Sequence, residues 1–169
     1  MIQSTPRTDW SGSHARVADG EAPLRELDAY RARSLLDASH GAWCNGDIDR
    51  LLSYYADDCL YWCNAGAIDG SPFMLVGKPA FRDFLRNVSS VAESRSVIDL
   101  FQFDGRIARA QIDTYVRHRR TGHVLAGSYR QVVTYRGNEI WRIEEYHDAA
   151  KMAAFWRLVA SEETAGDPQ

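Results

Sequence analysis

SVIDLFQFDGRIARAQIDTYVRHRR, residues 96–120, decides the fold class, because from Ser94 onward apolar residues recur at every second position. Successive side chains of a strand point to opposite faces, so this period predicts half-buried strands. SVIDLFQF is one strand, Asp104 and Gly105 make a hairpin turn, and residues 106–120 return as its partner. One face of the partner reads Ala108, Ala110, Ile112, Thr114, Val116 and suits burial against a second layer. The other reads Arg109, Gln111, Asp113, Tyr115, which fits either a solvent surface or a polar pocket wall. Beyond the turns at residues 121–123 and 136–138, AGSYRQVVTY (126–135) and EIWRIEEYH (139–147) extend the meander.

Upstream the period is helical. Leu24, Leu27, Tyr30, Arg31, Leu35 and Trp43 approximate one stripe and predict a helix over about 24–43, interrupted near Ser39, His40 and Gly41. Asp47 is placed to cap a second helix carrying Leu51, Leu52 and Tyr55, with Asp57 and Asp58 closing it as structural turn acids. CLYWC (59–63) reads as a strand and residues 64–72 as a loop. Phe81, Phe84, Leu85 and Val88 mark a third helix, with Pro79 tolerated in its first turn. AAKMAAFWRLVA (149–160) predicts a terminal helical segment. The expected organisation is a flexible arm over 1–22, one domain over 23–161 and a flexible tail over 162–169. Its expected class is α+β: a curved antiparallel sheet wrapped by about three helices, plus the C-terminal helical segment, with a hydrophobic pocket at its open end.

Composition narrows the function classes. A net charge of -3, with His118, Arg119 and Arg120 as the sole dense basic cluster, argues against nucleic-acid binding. That cluster sits at a hairpin tip, where His118 and His123 are expected to face solvent. Cys44, Cys59 and Cys63 are odd in number and follow no secretory pattern, so a reducing, cytoplasmic setting is expected. Cys59 and Cys63 have no second ligand cluster nearby in sequence, and no phosphate loop, dinucleotide fingerprint or nucleophile elbow occurs. Neither metal nor cofactor is therefore expected. No apolar run approaches the roughly 20 residues needed to span a bilayer, so no membrane partner is expected either.

IWRIEEYHD (140–148) carries the main chemical candidate. By strict alternation Glu145 shares a face with Trp141, Ile143 and His147, while Glu144 falls beside Arg142 as a solvated ion-pair partner. A carboxyl among apolar and aromatic side chains is partly desolvated, which raises its pKa and suits proton transfer. Tyr61 and Cys63 share one face of CLYWC, opposite Trp62; a pocket-facing Tyr61 would orient a substrate or water, and otherwise it is a core aromatic. His40 reads as a helix-end residue.

Three stretches, WCNGDIDRLLSYYADDCLYW, LVGKPAFRDFL and IWRIEEYHD, give the chain from about 24 to 160 a resemblance to the SnoaL-like branch of the NTF2-like superfamily, which includes ketosteroid isomerases and limonene-epoxide hydrolases. The resemblance implies a cone fold, an interior pocket for a small hydrophobic or polycyclic molecule, and a homodimer formed through the sheet. Against ketosteroid isomerase the base position is Cys63, the helical tyrosine falls near Ser39 and the oxyanion-hole acid near Gln131, so that machinery is lost. Against limonene-epoxide hydrolase the resemblance assigns Glu145 to water activation, Asp113 to acid donation and Tyr61 to water positioning; Gln111 replaces an arginine and Cys63 an asparagine, with Asn64 adjacent. Trp62, Trp141, Tyr115, Tyr129 and His147 complete the expected ligand-binding set. Two functions remain open at this stage: a cofactor-independent isomerase, lyase or hydrolase working by acid-base chemistry, and a noncatalytic ligand-binding or dimerisation domain in which Glu145 pairs with Arg109 or Arg130.

Overall fold

The computed structural model of the chain describes residues 27–66 and 70–165. The expected arm over 1–22, with its Trp10, lies outside them, as do residues 166–169 of the expected tail. The elements in order are α1 (Ala29–Cys44), α2 (Ile48–Ser53), β1 (Tyr55–Cys63), β2 (Phe73–Val76), α3 (Gly77–Val91), β3 (Ala92–Asp104), β4 (Ile107–His118), β5 (Val124–Arg136), β6 (Glu139–Tyr146) and α4 (Ala149–Ala165).

Local chemistry explains the helix boundaries. The Asp28 carboxylate accepts from the Arg31 amide at 2.8 Å, and Asp47 accepts from that of Arg50 at 3.0 Å, so each acid satisfies an amide that has no carbonyl partner within its helix. Helix α1 starts at Ala29 and continues unbroken through Ser39, His40 and Gly41. Asp57 and Asp58, expected to close α2, instead lie within β1. Both are exposed there, because the pairing of β1 with β6 shifts register between Tyr55 and Leu60 and interrupts the alternation. Asp57 pairs with Lys78 at 2.9 Å and Asp58 with Arg136. Four residues beyond the predicted loop form β2, which pairs with β1 from Cys63 opposite Phe73 to Leu60 opposite Val76. At the corner into α3, Gly77 has φ +80°, and a Cβ there would lie 3.4 Å from the Asp57 carbonyl oxygen. A left-handed residue at this close approach favours glycine.

The six strands run in the order β2-β1-β6-β5-β4-β3. The β3-β4-β5-β6 meander is antiparallel as the period predicts, but β1 lies parallel to β6, so the sheet is mixed. Its outer strands β2 and β3 do not pair; the sheet is open and not strongly curled, which corrects the expectation of a curved antiparallel sheet wrapped by helices. The reason is physical: period-two alternation assigns faces, yet it is identical for parallel and antiparallel neighbours and carries no information on bending.

The inner face of the sheet holds the core. Ala32 and Leu36 of α1 and Phe81 and Leu85 of α3 join Ile112, Val133 and Ile143 of the strands in one buried cluster. Each large apolar side chain so buried contributes about 2 kcal/mol. Tyr135, also buried, donates its hydroxyl to the Ala32 carbonyl at 2.8 Å and ties α1 to β5. Helix α4 adds a smaller cluster in which Phe155 and Val159 pack on Leu125. The basic hairpin tip is only partly solvent-facing: Glu93 holds Arg117 and Arg119 at 2.9 and 2.8 Å. His118, expected to face solvent, is buried, with Nδ1 3.0 Å from the Thr121 hydroxyl. His123 pairs with Glu162 at 2.8 Å. Among the described residues no helix is long and apolar enough to cross a membrane.

Candidate functional site

Between the inner face of the sheet and helices α1, α3 and α4 lies a cavity of about 200 Å³. Its walls are mostly aromatic and aliphatic, and among its polar groups Tyr61, Gln131 and His147 converge on one carboxylate, that of Glu145.

The placement of Glu145 follows from a break in alternation. On β6 the buried anchors are Ile140 and Ile143, three residues apart, because the pairing with β5 shifts register between Thr134 and Tyr135. After that shift Ile143 and Glu145 face inward, with His147 following just past the strand. Trp141 does not join them: it lies beneath the Arg136 guanidinium, 5.6 Å from ring centroid to charge, away from the cavity lining. Cross-strand pairing sets Glu145 opposite Cys63 on β1 and Gln131 on β5.

Three donors reach the carboxylate. Tyr61 donates its hydroxyl to Oε2 at 2.8 Å, His147 Nε2 lies 3.0 Å from the same oxygen, and the Gln131 amide donates to Oε1 at 3.0 Å. The Tyr61 ring stacks on Phe81 with centroids 4.8 Å apart, and the His147 ring stacks on Tyr129 at 4.1 Å. Both donors are thereby fixed by packing as well as by hydrogen bonds. Asn64 adds a further constraint, accepting from the His147 amide at 2.8 Å and donating to its carbonyl at 3.0 Å.

The network also dictates the state of His40. Because an ionised carboxylate only accepts, Gln131 turns its NH2 to Glu145, and its carbonyl oxygen faces His40 Nε2 at 3.3 Å. His40 Nε2 therefore carries a proton. Its Nδ1, 2.7 Å from the Ser96 hydroxyl, is left to accept when the ring is neutral. Burial favours that neutral form and lowers the His40 pKa, against the smaller opposing effects of Gln131 and Glu145.

Electrostatics make the Glu145–His147 contact an ion pair. Burial pushes the Glu145 carboxyl up, but hydrogen bonds from His147, Tyr61 and Gln131 and the His147 charge outweigh it and hold the group below the ordinary carboxylate range. Burial likewise works against a charged His147, yet hydrogen bonds to Cys63 and Glu145 and the carboxylate charge push the imidazole up to about 9. At neutral pH the pair is carboxylate and imidazolium, each side chain only 13 % exposed. Burial raises the hydroxyls of Tyr61 and Tyr129 well above the usual tyrosine range, so both remain neutral donors.

Of the residues singled out in the sequence, Glu145, Tyr61, Cys63, Tyr129 and His147 line the cavity together. Asp113, Gln111 and Tyr115 do not: they stand on the opposite face of β4, with Asp113 and Tyr115 exposed, while Ile112 and Thr114 turn inward. Trp62 also points outward, packing on Tyr146 at 5.1 Å. The group across the strand gap from Glu145 is thus the neutral amide of Gln131, not an acid from β4. Glu144 pairs with Arg142 at 2.8 Å, as its position beside that arginine predicts. His40 and Ser96 belong to the site and were not expected there. The helical phase carried a signal for His40, which follows buried Leu36 by four residues and precedes cavity-lining Trp43 by three. Among the described residues Cys63, Glu145 and His147 also form the one group able to offer three metal ligands, their ligand atoms all within 4.8 Å of one another.

The sequence matches the SnoaL-like domain family over residues 36–145. No curated protein matches the chain at a significant level. Many solved structures share its fold. An LEH-like epoxide hydrolase from M. tuberculosis superposes with a TM-score of 0.62 at 16% identity, covering 82% of this chain and 98% of its own. PrhC from Penicillium brasilianum gives 0.69 at 13% identity over 82% and 93%. An NTF2-like protein from Burkholderia xenovorans gives 0.63 at 18% identity over 76% and 97%. At these identities the likeness extends to the fold alone.

Proposed function

Since the chain belongs to the SnoaL-like domain family of the NTF2-like superfamily, we propose that its domain, residues 23–161, binds a small hydrophobic, oxygenated molecule and moves a proton on it as an isomerase, lyase or hydrolase. The observation that carries this reading is the buried Glu145–His147 ion pair at the polar end of an otherwise apolar cavity. A structural core has little reason to retain two charges, since burying them carries a desolvation cost that well-packed apolar side chains avoid. Glu145 is the group that can receive a proton, from a carbon acid or from water. His147 is the group with one to give to an oxygen that develops negative charge, and Tyr61 remains a neutral donor beside it. Gln131 and Asn64 keep the pair in register. The aromatic walls exclude water and suit a ring-bearing substrate.

The epoxide-opening assignment that the sequence suggested for Asp113 finds no support in its exposed position on the outer face. Proton donation by His147 takes its place in the proposal. Val97, Leu100, Tyr115 and Tyr146, all exposed on the sheet side away from the helices or at its edge strand, make that surface the proposed homodimer contact. A cytoplasmic setting suits the three free thiols.

The test is a panel of enolisable ring ketones, β-hydroxy ketones and epoxides of one to three rings, assayed by absorbance and product analysis. The reading expects turnover of at least one class, with Glu145→Gln lowering kcat/KM by on the order of 100-fold or more. Saturable binding without turnover across the panel would replace it with the noncatalytic ligand-binding reading, and wild-type turnover by the variant would remove Glu145 from the mechanism.

A further inference from the structure

We infer that Cys63, Glu145 and His147 form a three-ligand site for a thiophilic divalent cation of the zinc type, opening onto the cavity. This goes beyond the proton-transfer reading and rests on the cluster's geometry alone.

Parallel pairing of β1 with β6 sets Cys63 directly opposite Glu145, and His147 follows Glu145 by two residues on the same face. One sulfur, one carboxylate oxygen and one imidazole nitrogen thus point at a common volume, all within 4.8 Å of one another. Zinc takes sulfur at about 2.3 Å and nitrogen or oxygen at about 2.0–2.2 Å, so ligand atoms around one tetrahedral ion stand roughly 3–4 Å apart. The cluster needs only a modest contraction to reach that spacing.

The donor set selects the ion. Magnesium and calcium take oxygen shells, whereas a mixed sulfur, nitrogen and oxygen set favours zinc or cobalt. Supporting contacts of the kind that orient metal ligands are already present. The Ala65 amide donates to Cys63 Sγ at 3.4 Å and the thiol donates to the Ala65 carbonyl at 3.3 Å, which holds the sulfur in place, while Tyr61 and Gln131 fix the carboxylate. The same elements keep the site from closing: with three protein ligands and a cavity beside them, a fourth position is left for water or a ligand oxygen, the arrangement of a catalytic rather than a structural ion. Loading replaces the hydrogen bond between Glu145 and His147 with two metal-ligand bonds and releases two protons to solvent, one from the Cys63 thiol and one from the His147 imidazolium. No redox change is involved.

Cobalt(II) serves as the probe because its thiolate bond gives a near-ultraviolet charge-transfer band. The full-length protein, stripped with chelator, is titrated with cobalt and then with zinc, beside Cys63→Ser, His147→Gln and the control Cys44→Ser. The inference expects one cobalt per chain, a charge-transfer band that zinc abolishes, loss of that band in Cys63→Ser, its retention in Cys44→Ser, and affinity weakened by on the order of 100-fold in His147→Gln. Circular dichroism of each variant identifies any that fails to fold; should Cys63→Ser do so, the band and affinity in His147→Gln decide. Absence of stoichiometric uptake overturns the inference, as does a band that survives Cys63→Ser or follows Cys44. Turnover by the stripped protein is scored separately, so failure of the metal site and failure of the proton-transfer reading give different results.

Discussion

Glu144 and Glu145 are adjacent in the chain, and the pleat of β6 sends them to opposite sides of the sheet. Glu144, half-buried with 21 % of its side chain exposed, meets Arg142 at 2.8 Å and the Tyr146 hydroxyl at 2.8 Å on the outer face, where water still reaches the pair and such contacts contribute about 1 kcal/mol. Glu145 meets Tyr61, Gln131 and His147 inside a mostly apolar cavity. Identical side chains one residue apart thus differ in energetic weight and chemical use. Identity and neighbourhood in sequence say little about a charge; the face it occupies decides what it does.

Substitution should separate the two most sharply. Glu145→Ala leaves the buried His147 without its counter-charge and is expected to cost about 3 kcal/mol or more in urea unfolding, whereas Glu144→Ala stays within about 1 kcal/mol. Equal effects would dissolve the contrast.

The pH dependence of stability offers the next test. The folded His147 pKa lies above its unfolded value, so its contribution is complete below about 6.5 and is lost as pH rises toward about 9, at most about 3 kcal/mol. The Glu145 pKa is depressed, so its contribution is present above the ordinary carboxylate value and is lost as pH falls through the folded one. Wild-type stability should therefore peak in weak acid and decline on both sides. Glu145→Gln should flatten both arms, and Glu144→Gln should leave them in place.

A smaller effect is expected from Tyr61→Phe, which keeps the ring on Phe81 and removes one donor to the carboxylate: about 1 kcal/mol of stability, with the acid arm moving to higher pH. Smallest of all, Asp113→Asn on the outer face should change neither stability beyond about 0.5 kcal/mol nor any turnover found. A large loss there would return Asp113 to the site.

These contrasts also mark what the sequence made legible. Alternation in residues 106–120 correctly separated the inward Ala108, Ala110 and Ile112 from the outward Arg109 and Asp113, and the pattern of β6 put Glu145 inside with Ile143. Where a strand slips register, alternation misleads: the shift at Thr134 and Tyr135 sent Trp141 away from the face shared by Ile143 and Glu145, and that in β1 left Asp57 and Asp58 both exposed. Nothing local announces such a shift, because its cause is the pairing with another strand. Alternation left the Asp113 face open as solvent surface or pocket wall, the resemblance took it into the pocket, and the structure places Asp113 exposed on the outer face. Partners distant in sequence were the least legible part. His40, Gln131 and Glu145 come from α1, β5 and β6, and only the assembled sheet and helix bring them into one hydrogen-bond chain.

The central claim is the ion pair itself, and nitrogen-15 NMR of the His147 imidazole across pH 5 to 10 tests it most directly. The account predicts an imidazolium at neutral pH that titrates near 9 in the wild type and drops below 6.5 in Glu145→Gln, where burial acts with less charge to oppose it. Titration near 6.5 in both proteins would contradict it.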